Sequence, residues 1–290
     1  HVMQTRQRQG GATLGGMPLF HTMGLRTLLA SVVVGGTWVG QPAFDADESM
    51  QLILEENIGS LYLVPTIYWS LLRTGRLGDA RALDNLAYAG AAMTPSLAEK
   101  LVDEGRQADH LIGNNVLAHV PDLNDFVAGM KLLLAPDGRI TMEFPHLLQL
   151  IAHTEFDTIY HEHFSYFSLH SVTRVFARHG LRLFDVDEVP THGGSLRIYA
   201  CHDESERYTP SERLETLARK ESAYGLDRLD GYRDFAPAVE RTKRGLLSFL
   251  ISARERNERV MAYGAPAKGN TLLNYCGVGR DLIECTVDRN

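Results

Sequence analysis

Strand-like and helix-like runs alternate along the first hundred residues. The β-rich runs GGTWVGQ, SLYLVP and NLAYAG are each followed by an amphipathic segment. Those segments carry their own boundary signals, with Asp45 or Asp47 as an N-cap, Gly75 as a stop, and Thr94 and Gly105 bracketing the third. Alternation at this spacing predicts a mostly parallel sheet with helices on its faces.

The alternation continues beyond residue 107 but ends differently. ADHLIGNN is predicted as a strand, DLNDFVAGMKLLLAPDG as a helix running into a turn, and RITMEFP as the next strand. A helix closed by Gly180 precedes LRLFDVDEV and GSLRIYACH, which are predicted to be antiparallel strands joined through PTHGG. Residues 204–258 are charged and helical. RVMAYGAPAKGNTLLNYCG follows as a strand, a loop and a helix, and DLIECTVD is predicted as one more strand. The predicted fold class is α/β, with parallel sheets and flanking helices.

Charge and composition exclude several classes of protein. A net charge of -7 without any lysine or arginine block argues against nucleic-acid binding. No apolar run approaches the roughly 20 residues that cross a bilayer, and the N-terminal residues lack the apolar core of a signal peptide. Three scattered cysteines do not make a disulfide framework. We therefore expect a cytoplasmic protein without a membrane partner. The sequence starts without a methionine and stops at CTVDRN, which resembles a strand end, so we also expect it to be cut at both ends.

The segment TEFDTIYHEHFSYFSLH concentrates aromatic and titratable side chains. His161 and His163 flank Glu162, directly after Tyr160. In a regular strand the two histidines would share one face and the other two residues the opposite face, so only an irregular loop lets Tyr160, Glu162 and His163 meet one substrate. Three interpretations remain open, namely a polar edge, an HxH metal site, and a proton-transfer site in which imidazole titrates near neutral pH.

Four longer motifs carry a resemblance to a family. GNNVLAHVPDLNDF, FDTIYHEHFSYFSLHSV, THGGSLRIY and YGAPAKGNTLLNYCG follow one another within residues 107–290. Together they resemble the sugar C-methyltransferases of deoxysugar biosynthesis, and the strand pattern resembles the back half of a class I methyltransferase. The resemblance implies methyl transfer from S-adenosylmethionine to a carbon beside the ketone of a nucleotide-linked, TDP-type keto deoxysugar. No metal is implied.

The same resemblance implies roles for individual residues. His163 would be the base that removes the α-proton, with Tyr160 and Glu162 orienting it and the sugar ring. Asn115 and His119 would line the cofactor side of the pocket. The implied substrate-binding residues are His146, His192, Arg197, Tyr263, Lys268 and Asn270.

Plainer interpretations stay open for several of these positions. His119 could cap a strand-to-helix turn, His146 could be a surface histidine, and Gly193 and Gly194 could simply form a hairpin turn. The GAPAKGN loop has Asn270 where a P-loop requires lysine, although a loop opening a helix can still present backbone N–H groups to a diphosphate.

Parts of the methyltransferase pattern are missing from the sequence. The family carries a cysteine-rich zinc module, and it binds its donor with a glycine-rich loop and a following acidic residue. No acidic-G-x-G run precedes residue 110. The resemblance therefore implies a substrate site combined with an incomplete site for S-adenosylmethionine.

Residues 11–105 resemble a different family. MPLFHTMGL, FDADESMQLILEENIGSLYLVPTIYWSLLRTG and LDNLAYAGAAMTPSLAEKLV are similar to adenylate-forming acyl- or aryl-CoA ligases, which implies ATP and CoA as alternative ligands. His21 would border the acyl pocket, and Gly90 and Ala91 would lie against the adenine. Ordinary packing of small residues fits the last two equally well. The ligase phosphate loop and its Y-G-x-T-E segment are not found in the sequence.

The chain is therefore predicted to be a composite joined near residues 105–110. We expect a ligase-like fragment at 1–106, a methyltransferase core at 107–202 and a nucleotide-sugar-binding part at 203–290. Such a join could fold if the first βα units docked beside the methyltransferase strands. Three hypotheses follow, namely a sugar C-methyltransferase with an incomplete donor site, a fragment of a CoA ligase, and a non-catalytic composite.

Overall fold

The computed structural model describes residues 8–20, 22–88, 95–105, 107–264 and 266–288. The strands of the first sheet are β1 (Ala12–Gly15), β2 (Thr37–Gly40), β3 (Ser60–Leu63) and β4 (Asn85–Tyr88). They run in the order β2-β1-β3-β4, and all the pairs are parallel. The helices of this part are α1 (Thr22–Val33), α2 (Ala46–Glu55), α3 (Pro65–Arg73) and α4 (Pro95–Asp103). The predicted parallel sheet is confirmed.

Local signals set the helix ends in this first part. The Asp45 side chain accepts a hydrogen bond from the backbone N–H of Glu48 at 2.9 Å, so Asp45 rather than Asp47 is the N-cap of α2. Gly75 and Gly105 follow α3 and α4 with left-handed φ angles of 68° and 70°. Glycine adopts that conformation without steric cost, which is why the two helices stop where the sequence predicts.

The second sheet contains β5 (Ala108–Asn114), β6 (Leu134–Pro145), β7 (Leu181–Val189) and β8 (Ser195–His202) in the order β5-β6-β8-β7. Strands β5 and β6 are parallel, and the β6–β8 and β8–β7 pairs are antiparallel. Its helices are α5 (Leu123–Leu133), α6 (Leu147–Ala152) and α7 (Leu169–Arg178). The prediction that the last two strands of this part, β7 and β8, are antiparallel is confirmed.

The start of β6 differs from the prediction. The sequence APDG suggested a turn, but β6 begins at Leu134 and includes those residues. Leu134 is 1% exposed and pairs with Ala108, with an irregularity in the register before His110. Burial of the leucine and the pairing with β5 therefore override a local turn signal.

The last part is mainly helical. It contains α8 (Glu212–Tyr224), α9 (Phe235–Glu255), the short parallel strands β9 (Ala262–Tyr263) and β10 (Thr286–Val287), and α10 (Ala267–Cys276). Across the residues that the structure describes, no helix is both long and apolar enough to cross a membrane.

The two predicted segments share one hydrophobic core. Leu97, Ala98 and Leu101 on α4 belong to the same buried cluster as Leu111 on β5 and Phe126 on α5. Helix α4 packs on α5, and a cavity of about 20 Å³ lies between them. Within the described ranges β5 pairs with β6 alone, so the first βα units contact the second part through a helix and do not extend its sheet.

Candidate active site

The HEH motif lies on an irregular loop. Residues 159–166 have neither helical nor strand structure, and they follow a short 3₁₀ turn at Phe156–Thr158. Backbone N–H groups of Phe164 and Ser165 donate to the carbonyl oxygen of Ala118 at 2.8 and 3.3 Å. An irregular loop is the condition under which Tyr160, Glu162 and His163 could meet one substrate. The two bonds tie this loop to the 3₁₀ turn Leu117–His119 that follows β5.

His163 is arranged as a neutral base. Its Nδ1 lies 2.7 Å from the carbonyl oxygen of Thr158, which can only accept, so Nδ1 carries the proton and Nε2 keeps its lone pair. Burial lowers the pKa of His163 below its usual 6.5, and the nearby His119 and Lys268 lower it further, whereas the bond to Thr158 and the charge of Glu162 raise it. His163 is therefore unprotonated at neutral pH.

Rings surround His163 on several sides. The ring centroid of Tyr160 lies 4.4 Å away, that of His119 4.8 Å and that of Tyr166 6.1 Å. Burial raises the pKa of Tyr160, and the charge of Glu162 raises it further. The phenol of Tyr160 therefore keeps its proton and can donate a hydrogen bond beside the base.

The side chains of His161 and Glu162, the two residues before His163, are largely exposed to solvent. The side chains of His161 and Glu162 are 86% and 59% exposed, and their closest polar atoms are 3.9 Å apart. The carbonyl oxygen of Glu162 lies 2.8 Å from Nδ1 of His119, so its backbone fixes a neighbour of the base. A direct role for the Glu162 carboxylate stays a prediction.

Asn115 and His192 meet at the carboxyl end of the second sheet. Nδ2 of Asn115 lies 3.2 Å from Nε2 of His192, and both residues have left-handed φ angles, of 54° and 55°. Non-glycine residues adopt this conformation at a cost, and such strain concentrates at functional sites. Oδ1 of Asn115 is buried without a hydrogen-bond partner among the described residues, so it is an acceptor available to a ligand.

Arg197 is held by an acid that sequence reasoning missed. Its Nε and Nη2 donate to Oε2 of Glu143 at 3.1 and 2.7 Å, and Thr191 Oγ1 donates to Oε1 at 3.1 Å. Glu143 is 6% exposed. A carboxylate inside the apolar strand TMEFP was the signal that could have identified it, because such a charge needs a buried partner.

His146 occupies a different environment from the one expected. It is 1% exposed, so it is not a surface histidine, and its contact with a substrate stays a prediction. Its Nε2 lies 2.7 Å from Oε1 of Glu221, another buried residue that sequence reasoning missed.

The C-terminal residues lie around α10. Lys268 is half-buried on its first turn and close enough to lower the pKa of His163, whereas Tyr263 and Asn270 are exposed. Helix α10 packs on the 3₁₀ turn that precedes the loop. Beside that contact lies an apolar cleft of about 300 Å³. It is lined by Phe156, Ile159, Phe235, Ala236, Val239, Thr271 and Tyr275.

Two further sets of residues were singled out by the sequence. The ligase-like pocket residues His21, Gly90 and Ala91 lie outside the described residues. In the part of the chain that is described, no three His, Cys, Asp or Glu side chains come together to hold a metal ion.

Known protein families match the chain in three stretches. Residues 190–290 match the C-methyltransferase C-terminal domain, and residues 74–186 match a methyltransferase domain. Residues 2–114 match the AMP-binding enzymes. The resemblance of the chain to two families is therefore confirmed, and their matches overlap over residues 74–114.

Individual relatives come from the same two families. The C-methyltransferase NovU of Streptomyces niveus is 36% identical over 198 residues, which are 68% of this chain and 47% of that protein. A 4-chlorobenzoate–CoA ligase of an Arthrobacter species is 31% identical over 91 residues, 30% of this chain and 17% of that protein. The chain thus spans about half the length of the first relative and less than a fifth of the second.

Solved structures match parts of the chain weakly. The N-terminal domain of FACL13 from Mycobacterium tuberculosis has a TM-score of 0.33 and 27% identity, covering 34% of this chain and 25% of that one. LepI in complex with SAM has a TM-score of 0.34 and 11% identity, covering 67% and 43%. Similarities this weak support no argument about function, and the fold assignment rests on the strand order described above.

Proposed function

Because the chain joins a segment similar to AMP-binding enzymes to a longer segment similar to C-methyltransferases, we propose that the longer segment binds a nucleotide-linked keto deoxysugar. In this proposal His163 removes a proton from the carbon beside the ketone. The observation that supports it most strongly is the hydrogen bond from Nδ1 to Thr158, which leaves Nε2 as an unprotonated base in a half-buried site.

Proton removal can be followed atom by atom. The proton of the α-carbon moves to Nε2 of His163, and the electrons of the C–H bond form the enolate. The phenol of Tyr160 keeps its proton, and its ring centroid lies 4.4 Å from that of His163, so it would donate a hydrogen bond to the ketone oxygen as negative charge develops there. Nδ1–H stays bonded to Thr158, so the imidazolium that forms keeps its orientation.

The surroundings of α10 support a nucleotide-linked substrate. Lys268 supplies positive charge near His163, which suits a diphosphate. The apolar cleft at Phe156 and Tyr275 is large enough for a planar ring. A TDP-type nucleotide combines both features, with its base in the cleft and its diphosphate toward Lys268.

The residues present fit only part of S-adenosylmethionine. The buried, unpartnered Oδ1 of Asn115 would accept a hydrogen bond from the ammonium group of its methionine moiety. The adenosyl moiety has no matching residues, because no glycine-rich loop with a following acid precedes residue 110. When bound, this cofactor would supply the methyl group.

Exchange of the α-proton with solvent tests the proposal. A thymidine diphosphate-linked keto deoxysugar in D₂O should gain deuterium beside its ketone when the full chain is added. His163→Ala should slow this exchange by about 10²-fold or more, because general-base catalysis is lost. His161→Ala is the matched control, since its 86% exposed side chain should be dispensable. Unchanged exchange in His163→Ala would refute the assignment of the base.

A further inference from the structure

One buried carboxylate joins the two helices that border the active-site loop, which we define as residues 153–168. Oε1 of Glu221, on α8, accepts from the backbone N–H of Leu169 at 2.6 Å and lies 2.7 Å from Nε2 of His146. Oε2 accepts from the backbone N–H of His170 at 3.0 Å. We propose that Glu221 is a positioning residue that fixes His163 by holding both ends of this loop.

Both ends of the loop meet at this carboxylate. His146 precedes α6, which leads directly into the loop, whereas Leu169 and His170 begin α7, which directly follows it. The backbone N–H of Leu147 also donates to the carbonyl oxygen of Phe167 at 2.9 Å, so the two ends lie side by side. A loop whose ends are held together keeps a compact shape.

Both oxygens of Glu221 are used in these contacts. Glu221 and His146 are each 1% exposed, so removing the carboxylate would leave the backbone N–H groups of Leu169 and His170 without this acceptor. The carboxylate also lies at the N-terminus of α7, where the helix dipole favours negative charge. Glutamine is nearly the same shape but offers one acceptor oxygen in place of two.

The effect on His163 runs through backbone bonds inside the loop. The N–H of His163 donates to the carbonyl oxygen of Tyr160 at 3.0 Å, and its ring is bonded to Thr158. If the loop ends separate, the ring loses its burial and the pKa of His163 should rise toward 6.5. A role limited to overall stability would leave that pKa unchanged in the folded protein.

Amide hydrogen exchange of the full chain tests this role. In Glu221→Gln the amides of Phe164 and Ser165 should exchange about tenfold faster or more, while those of β8 keep their protection. The NMR titration midpoint of His163 should rise in the same variant. Glu215→Gln is the matched control, because Glu215 is exposed on the same helix. It should change neither quantity.

Several results would overturn the inference. In Glu221→Gln, unchanged amide exchange in the loop would do so, as would an unchanged titration midpoint of His163. Amide exchange that accelerates equally in the loop and in β8 would also contradict the inference. If Glu221→Gln does not fold, amide exchange of the wild-type chain at increasing denaturant tests the coupling instead. The amides of Leu169 and His170 should then open with the same denaturant dependence as those of Phe164 and Ser165. Separate opening of the two pairs would contradict the coupling. The importance of His163 rests on the proposed function, but these readouts need no turnover, so the two failures are distinguishable.

Discussion

Phe126 lies where the two segments of the chain meet, which makes it a sensitive position for testing whether they unfold together. It is 3% exposed on α5 and lines the small cavity with Ala98 of α4 and Met142 of β6. Truncating a buried phenylalanine to alanine costs about 3–5 kcal/mol. With an unfolding entropy of about 2.1 cal/mol/K per residue, Phe126→Ala should lower the melting temperature by about 5–8 °C.

The tryptophans make the assay specific. The chain has two, Trp38 on β2 and Trp69 on α3, and both belong to the ligase-like segment. Their fluorescence therefore reports unfolding of the segment that is not mutated, and circular dichroism at 222 nm reports the helices of both. If one core holds the segments together, both signals should shift by the same amount in Phe126→Ala.

Leu132→Ala is the control for this experiment. Leu132 is on the same helix and 39% exposed, so its loss should change stability by about 0.5 kcal/mol or less. A tryptophan transition that stays in place while the dichroism transition of Phe126→Ala moves or splits would show that the segments unfold independently. The reasoning from a shared core would then be wrong.

Three further predictions concern the site itself. Because burial lowers the pKa of His163 below 6.5, its NMR titration midpoint and the acid limb of proton exchange should lie below that pH. The unfolded chain binds this proton first, so the contribution of His163 to stability should fall as the pH drops from 6.5 to the lower folded pKa and be constant on either side. Tyr160→Phe should slow α-proton exchange by about 10²-fold with little change in melting temperature, and equal rates would exclude the phenol as donor. Arg197→Ala should cost about 3 kcal/mol in chemical denaturation, because Glu143 loses its buried partner, with Arg197→Lys losing less; equal stability would contradict the pairing.

The parts of the fold that follow from local sequence were predictable. The parallel first sheet follows from strand–helix alternation, and Asp45, Gly105 and Gly180 mark helix ends with their own side chains or φ angles. The start of β6 was not predictable from the turn residues, because pairing of Leu134 with Ala108 is a contact between distant residues.

The candidate site also has a part that the sequence indicated and a part that it did not. The motif itself indicated His163 and the need for an irregular loop. The Asn115–His192 contact joins residues 77 positions apart, and the His146–Glu221 contact joins residues 75 apart. No periodicity or cap signal encodes such pairs, since they arise only when the strands and helices are assembled. The roles of these residues in a reaction stay predictions.

Binding of a nucleotide to the intact chain tests the central claim most directly. Thermal melts should be recorded with thymidine diphosphate, S-adenosylhomocysteine or ATP, each in excess. A ligand at about 100 times its dissociation constant stabilises the folded state by about 2.7 kcal/mol, or about 4–5 °C for a chain of this length. We expect thymidine diphosphate to raise a cooperative transition. A transition that thymidine diphosphate leaves unchanged, or that only ATP raises, would contradict a nucleotide-sugar site in residues 107–290.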